Sequence, residues 1–121
     1  CRNMNILISN KAYDNIKHII NFTLKVSKKY SNRIVKDIYD TIDSIKENPY
    51  IGRYVPELKN KHYRERICGN YRIIYFVSEK HKKIFISYII CGKQNSYLFF
   101  EVHKKELFDF LNLFLNSNSI T

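Results

Sequence analysis

The 121-residue chain contains no tryptophan, one methionine, one alanine (Ala12), two prolines and only three glycines. The glycines, Gly52, Gly69 and Gly92, lie far apart, so no Gly-rich nucleotide-binding loop is present. No internal repeat, low-complexity tract or interdomain linker is visible either. Cys1, Cys68 and Cys91 are odd in number and form no CxxC pair, which excludes a disulfide framework and argues against a structural zinc site. No metal and no cofactor is expected. Long apolar runs are also missing. The strongest, Leu107 to Leu115, is broken by Asp109 and Asn112 and falls well short of the ~20 residues that span a bilayer. Cys1 to Asn10 lacks the apolar core of a secretory signal, Met4 is a candidate native start, and a cytoplasmic location with no membrane partner is the expectation.

Acidic residues are scarce. Eleven Asp and Glu face 21 Lys and Arg, for a net charge of +10, while 45% hydrophobic and 15% aromatic content supplies a core. A chain of this length buries roughly two thirds of its unfolded surface. One basic globular domain over 1–121 follows, and a disordered chain is excluded.

Met4, Ile6 and Ile8 alternate with Asn5 and Leu7 as a strand. From Lys11 the spacing turns helical, with an apolar stripe of Ile16, Ile19, Ile20 and Leu24 that fades by Ser27. A second helix begins near Ser31, carries Ile34, Val35, Ile38, Ile42 and Ile45 on one face, and stops at Asn48-Pro49. Pro49 to Lys61 reads as an ordered loop. Strands His62 to Cys68 and Tyr71 to Ser78 flank Gly69-Asn70, a dipeptide suited to a tight hairpin turn, and Ile84 to Cys91 is a third strand. The pattern predicts an α+β fold in the order β-α-α-β-β-β, with a two-helix hairpin on a small, mainly antiparallel sheet. In the last two strands both alternating sets are apolar: Ile73, Tyr75 and Val77 against Ile74 and Phe76, then Ile84, Ile86 and Ile90 against Phe85 and Ile89. Both faces therefore need cover. The helical hairpin supplies one; the other calls for an additional C-terminal helix, about 101–116, or for another chain.

The charge is concentrated. Gly52 to Lys93 holds ten basic and three acidic side chains, net +7, whereas the helix from Ser31 to Asn48 is −1. Arg53, Lys59, Lys61, Arg64, Arg66, Arg72 and Lys93 form the candidate surface for a phosphate chain or an acidic protein segment. Strand alternation puts His62, Arg64 and Arg66 on one face, where guanidinium forks can hold phosphates bidentately. Tyr63, Tyr71, Tyr75 and Tyr88 are candidates for stacking on bases or for cross-strand packing. The Lys80 to Lys83 turn is equally a solvated loop.

Asn48-Pro49-Tyr50-Ile51-Gly52-Arg53-Tyr54-Val55-Pro56-Glu57, then Tyr63-Arg64-Glu65, then Tyr71-Arg72-Ile73-Ile74-Tyr75 resemble the RelE/ParE superfamily of bacterial toxins: a helix ending at Pro, a Gly-Arg loop, an Arg-Glu strand and a Tyr-Arg-Ile-x-Tyr strand. The resemblance covers a core of about residues 4–92. It implies the toxin half of a type II toxin–antitoxin pair, of the kind found in plasmid stabilisation systems. Such a toxin is neutralised by a cognate antitoxin, often an amphipathic acidic segment wrapped around it. A homodimer or a toxin–antitoxin hetero-oligomer is the matching assembly. RelE-like members cut ribosome-bound mRNA, whereas ParE-like members inhibit DNA gyrase.

A mRNA interferase, cleaving through the RNA 2′-hydroxyl, needs a base, cations for the phosphorane charge and an acid for the leaving oxygen. The resemblance offers Lys61, His62 or Glu65 as base, Arg64, Arg66 and Arg72 as cations, and Tyr97 or His103 as acid. Arg72 is equally a structural tether to an acidic residue. At the last strand's end the sequence departs from the nuclease branch, reading Ile90-Cys91-Gly92-Lys93-Gln94-Asn95. Cys91 stands where His is common, and an Arg is missing. This departure and the long helical hairpin favour a ParE-like gyrase inhibitor over a RelE-like endoribonuclease. A non-toxic nucleic-acid-binding or interaction domain is the third expectation.

Overall fold

A computed structural model describes residues 4–92 and 96–115. The chain order is β1 (Asn5–Ile8), α1 (Asn10–Leu24), α2 (Lys28–Glu47), β2 (Arg53–Tyr54), β3 (Tyr63–Cys68), β4 (Tyr71–Ser78), β5 (Lys83–Cys91) and α3 (Ser96–Leu115). The α+β architecture expected from periodicity is present. Two details refine it: the ordered loop contains the two-residue β2, and the last helix starts five residues before 101.

Serines open both helices of the hairpin. Ser9 Oγ accepts from Ala12 N at 3.0 Å and Ser27 Oγ from Tyr30 N at 3.0 Å, satisfying backbone donors that a helix start leaves free. The buried stripe of α1 is Ala12, Ile16, Ile19 and Thr23, and that of α2 is Ser31, Ile38, Ile42 and Ile45. Leu24, expected in the stripe, is instead 47% exposed. Thr23 takes its place because its hydroxyl has two local acceptors, Ile19 O at 2.7 Å and Ser31 Oγ at 2.9 Å, which satisfy it where the helices meet.

The five strands are ordered β1-β5-β4-β3-β2, with β1 parallel to β5 and the other pairs antiparallel. Gly69 has φ +58° at the first position of the two-residue β3–β4 turn, a conformation glycine enters without steric cost. Beyond the end of β1, the edge of β5 is closed by a side chain: Asn15 Oδ1 accepts from Ile89 N at 2.9 Å.

Each sheet face has its own core. Ile73, Tyr75, Ile84, Ile86 and Ile89 pack against α1 and α2, while Tyr63, Ile74, Phe76, Phe85, Tyr88 and Ile90 pack against Phe100, Leu107 and Leu111 of α3. The second face is thus covered by the chain itself. The simple alternation predicted for β5 fails at Ser87. Ile74 pairs with Tyr88 while the adjacent Tyr75 pairs with Ile86, so Ser87 is an extra residue and the phase inverts beyond it. Ile89 therefore faces the hairpin and Ile90 faces α3, the reverse of the expected assignment.

Candidate functional site

Most of the basic residues picked out by sequence fall into two groups that meet at the adjacent β3 positions Arg64 and Glu65. At the start of β3, Lys61, His62 and Arg64 line a cleft of about 370 Å³ together with Tyr50, Lys80 and the end of α3 at Phe114. The Arg64 guanidinium is organised by aromatic residues on both sides of the Gly-Arg loop. It lies 5.1 Å from the Tyr50 ring centroid and 4.5 Å from that of Tyr54, and donates to Gly52 O at 2.7 Å. The Tyr50 hydroxyl donates to Glu79, which locks the cleft wall. Lys61, Arg64 and Lys80 against Glu79 leave this cleft net positive, with His62 beside them.

The second group is neutralised. Arg72 is 8% exposed, donates through Nε to Glu65 Oε1 at 2.6 Å, and holds Glu57 bidentately at 2.8 and 2.8 Å. Its guanidinium also lies 5.6 Å from the Phe100 ring of α3. Glu65, 1% exposed, accepts from Arg53 on its other oxygen. The result is an alternating chain Glu57–Arg72–Glu65–Arg53 with no net charge. Hydrogen bonding to Arg72 holds the Glu57 carboxyl down at about 2, and the Arg72 pKa is raised mainly by the same contact. Arg53 and Arg72 line a cavity of about 380 Å³ with Gly69, Asn70 and Gly92, but the Arg72 Nε, Nη1 and Nη2 each already donate to Glu65 or Glu57.

Gly52 locks this arrangement to the loop. Its N–H donates to the Tyr75 hydroxyl at 2.9 Å, which in turn donates to Pro49 O at 2.8 Å. Burial raises the Tyr75 pKa, and it stays a neutral phenol. The same burial removes Tyr63, Tyr75 and Tyr88 as stacking platforms; Tyr63 and Tyr88 point to α3, donating to Leu107 O at 2.7 Å and to Glu106 at 2.6 Å.

The residues offered for RNA cleavage are not gathered at one place. Tyr97 is 68% exposed in the first turn of α3, and the ~1.5 Å rise per residue puts it about 25 Å along the helix from Phe114 at the Lys61 cleft. His103, 4.4 Å from the Phe99 ring, faces Tyr88 and Glu106. Arg66 is half-buried, Lys59 is exposed at φ +49°, and neither lines the two basic cavities. Lys93 lies outside the described residues. Cys68 and Cys91 are free and half-buried. Among the described residues, no three His, Cys, Asp or Glu side chains gather to hold a metal, and no helix is long and apolar enough to cross a membrane. Sequence reasoning missed the tyrosines that clasp Arg64 and the pairing of Glu57 with Arg72. The readable signal was the Tyr-x-Gly-Arg-Tyr run, whose aromatics flank the one loop glycine and arginine.

A comparison with curated proteins finds no match. Among solved structures, the fold is similar to one from the chromosomal ParDE TA system of P. aeruginosa (TM-score 0.62, 16% identity, covering 74% of this chain and 97% of that one). It is also similar to a YoeB/ParE toxin from Agrobacterium tumefaciens (TM-score 0.54, 19% identity, covering 73% and 98%). These are likenesses of fold. The family model described as ParE toxin of type II toxin-antitoxin system, parDE, matches residues 6–96, from within β1 to the first residue of α3. The strand order, the hairpin, the Gly-Arg loop and its buried ion pairs all lie inside that span, and the chain belongs to the ParE toxin family of type II toxin–antitoxin systems.

Proposed function

We propose that this toxin arrests growth by binding DNA gyrase rather than by cutting RNA, and that a cognate antitoxin neutralises it. One observation carries the choice: Glu65, one of the three base candidates, and Arg72, one of the three cation candidates, are buried and bound to each other. What faces solvent is the Lys61–His62–Arg64–Lys80 cleft, net positive and lined by neither Tyr97 nor His103, the candidate acids. That suits electrostatic docking to an acidic protein surface. The match to the ParE family model supports the same branch.

The test is tightly controlled induction in a bacterium, with growth, plasmid supercoiling and mRNA 5′ ends followed in one culture. Growth arrest with altered supercoiling and intact messages is expected. Ribosome-dependent new 5′ ends would replace this reading with the endoribonuclease, and undisturbed growth would leave a binding module. Lys61→Ala with Arg64→Ala is expected to weaken gyrase binding roughly tenfold or more, with the thermal midpoint read in parallel because Arg64 also braces the Gly-Arg loop. Unchanged inhibition by that variant removes the cleft from the target surface.

A further inference from the structure

Between the end of β1, the first turn of α1 and the middle of α3 lies a cavity of about 450 Å³, within the size range of small-molecule sites. Its α3 wall, Glu106, Leu107 and Phe110, falls outside the residues 6–96 that match the family, so the matched core does not form it alone. The lining is largely apolar. Phe85 and Leu107 are buried, and the Phe85 and Phe110 rings meet edge to face at 5.7 Å. Leu7 and Phe110 stay 42% and 39% exposed, which leaves the cavity a mouth toward solvent.

Most polar groups of the lining are already used. Ser9 Oγ donates to Ser87 O at 2.8 Å and accepts from Ala12 N at 3.0 Å, the Tyr88 hydroxyl donates to Glu106 at 2.6 Å, and the Tyr63 hydroxyl donates to Leu107 O at 2.7 Å. Ser87 is the exception. It is 7% exposed, and its Oγ, beside the Tyr63 hydroxyl, makes no well-formed hydrogen bond among the described residues. Ser87 is also the extra residue of the β5 bulge, the kind of irregularity that re-aims a side chain. A buried hydroxyl without a partner is costly, and folded proteins seldom leave one. The Ser87 proton seeks an acceptor, while the Tyr63 oxygen, its own proton spent, can still accept. At the rim the charges cancel: Lys11 and Glu106, both exposed, are of opposite sign and attract each other, so neither an anion nor a cation gains there.

The geometry points to this cavity as a binding site for a small, uncharged, ring-bearing alcohol. The ring lies against Phe85, Leu107 and Phe110, and the hydroxyl, which both accepts and donates, takes the Ser87 proton and gives its own to the Tyr63 oxygen. A bound molecule bridges α3 to the corner where β1 enters α1, so it stabilises the folded chain by mass action. The site is separate from the Lys61 cleft, and the inference does not depend on what the toxin targets.

The full chain, isotope-labelled for NMR, is titrated with 2-naphthol, naphthalene and 2-naphthoate, probes that share a ring system and differ in hydroxyl and charge. Amide shifts and the thermal midpoint are followed for wild type, Ser87→Ala and Leu7→Trp. 2-Naphthol is expected to give saturable shifts at Ser87, Leu107 and Phe110 and to raise the midpoint, with naphthalene and 2-naphthoate binding at least about threefold more weakly. Ser87→Ala removes a hydroxyl that has no partner, so the free variant is expected to keep or raise the midpoint while binding 2-naphthol about three- to tenfold more weakly. Leu7→Trp, at the exposed mouth, is expected to fold and to block all three probes. A midpoint lowered by Ser87→Ala makes the hydroxyl a structural one, and naphthalene bound as tightly as 2-naphthol leaves an apolar crevice with no built site. Tighter binding of 2-naphthoate makes the rim cationic, and shifts unchanged in Leu7→Trp, or absent with every probe, remove the site. Each of these results overturns the inference.

Discussion

At the scale of single residues, the Gly-Arg loop is held by contacts that tolerate little. A Cβ on Gly52 would lie 2.6 Å from Glu65 O and 2.6 Å from the Tyr75 hydroxyl oxygen, one of them backbone that cannot swing aside. Gly52→Ala is therefore expected to cost about 1–3 kcal/mol in urea unfolding, the usual range for overpacking a tight site. Glu57 makes a second prediction. Its folded pKa of about 2 lies below the ordinary value of 4.5, so its stabilising contribution is present above pH 4.5 and is lost as pH falls from 4.5 toward 2. Glu57→Gln is expected to lower the thermal midpoint at neutral pH and to flatten its decline across that acid window. A variant whose acid limb matches wild type would show that the Arg72 pairing does not set it. The sequence showed Arg72 as a cation that is either working or structural. It could not choose, because the two carboxylates that claim it arrive from positions 57 and 65 and meet only when β3 pairs with β4 and the loop folds over.

At the scale of elements, periodicity located nearly every strand and helix, since each buries one stripe or one alternating set. It assigned Ile89 and Ile90 to the wrong faces because a bulge inverts alternation without leaving a mark in composition; Ser87 is one polar residue in an apolar run. It also started α3 late. Ser96 to Phe100 carries a mixture of polar and aromatic residues whose direction is set by the Arg72–Phe100 contact and by burial of Phe100 at 2% exposure. The helix is anchored further along by Leu107, 3% exposed, whose carbonyl receives the Tyr63 hydroxyl. Leu107→Ala is expected to destabilise the protein by about 2–5 kcal/mol and to open α3 to proteolysis before the hairpin. Equal cleavage rates across the chain in that variant would show that α3 and the core unfold as one unit.

For the whole molecule, the charge distribution governs encounter more than stability. A net charge of +10, gathered on the sheet half, steers an acidic target toward the Lys61 cleft at low ionic strength. On the proposed gyrase reading, association is expected to slow by roughly tenfold or more between about 0.05 and 0.5 M salt, as the screening length shortens, with dissociation changing less. Lys61→Ala with Arg64→Ala should flatten that dependence in stopped-flow or surface-binding measurements. A rate insensitive to salt would place the contact on an apolar surface instead.

By itself the sequence determined the element order, the α+β class, the hairpin turn at Gly69-Asn70 and the family, because these depend on local spacing and on motifs read along the chain. It also determined that the sheet needs cover on both faces. Only the tertiary structure decided what supplies that cover, which basic residues remain available and which are bound inward. Those outcomes depend on partners distant in sequence: Tyr63 with Leu107, Arg72 with Glu57, Arg64 with Tyr50 and Tyr54. Burial and pairing are properties of the assembled chain, and a charge becomes a tether or a contact surface according to what folding brings within hydrogen-bond reach.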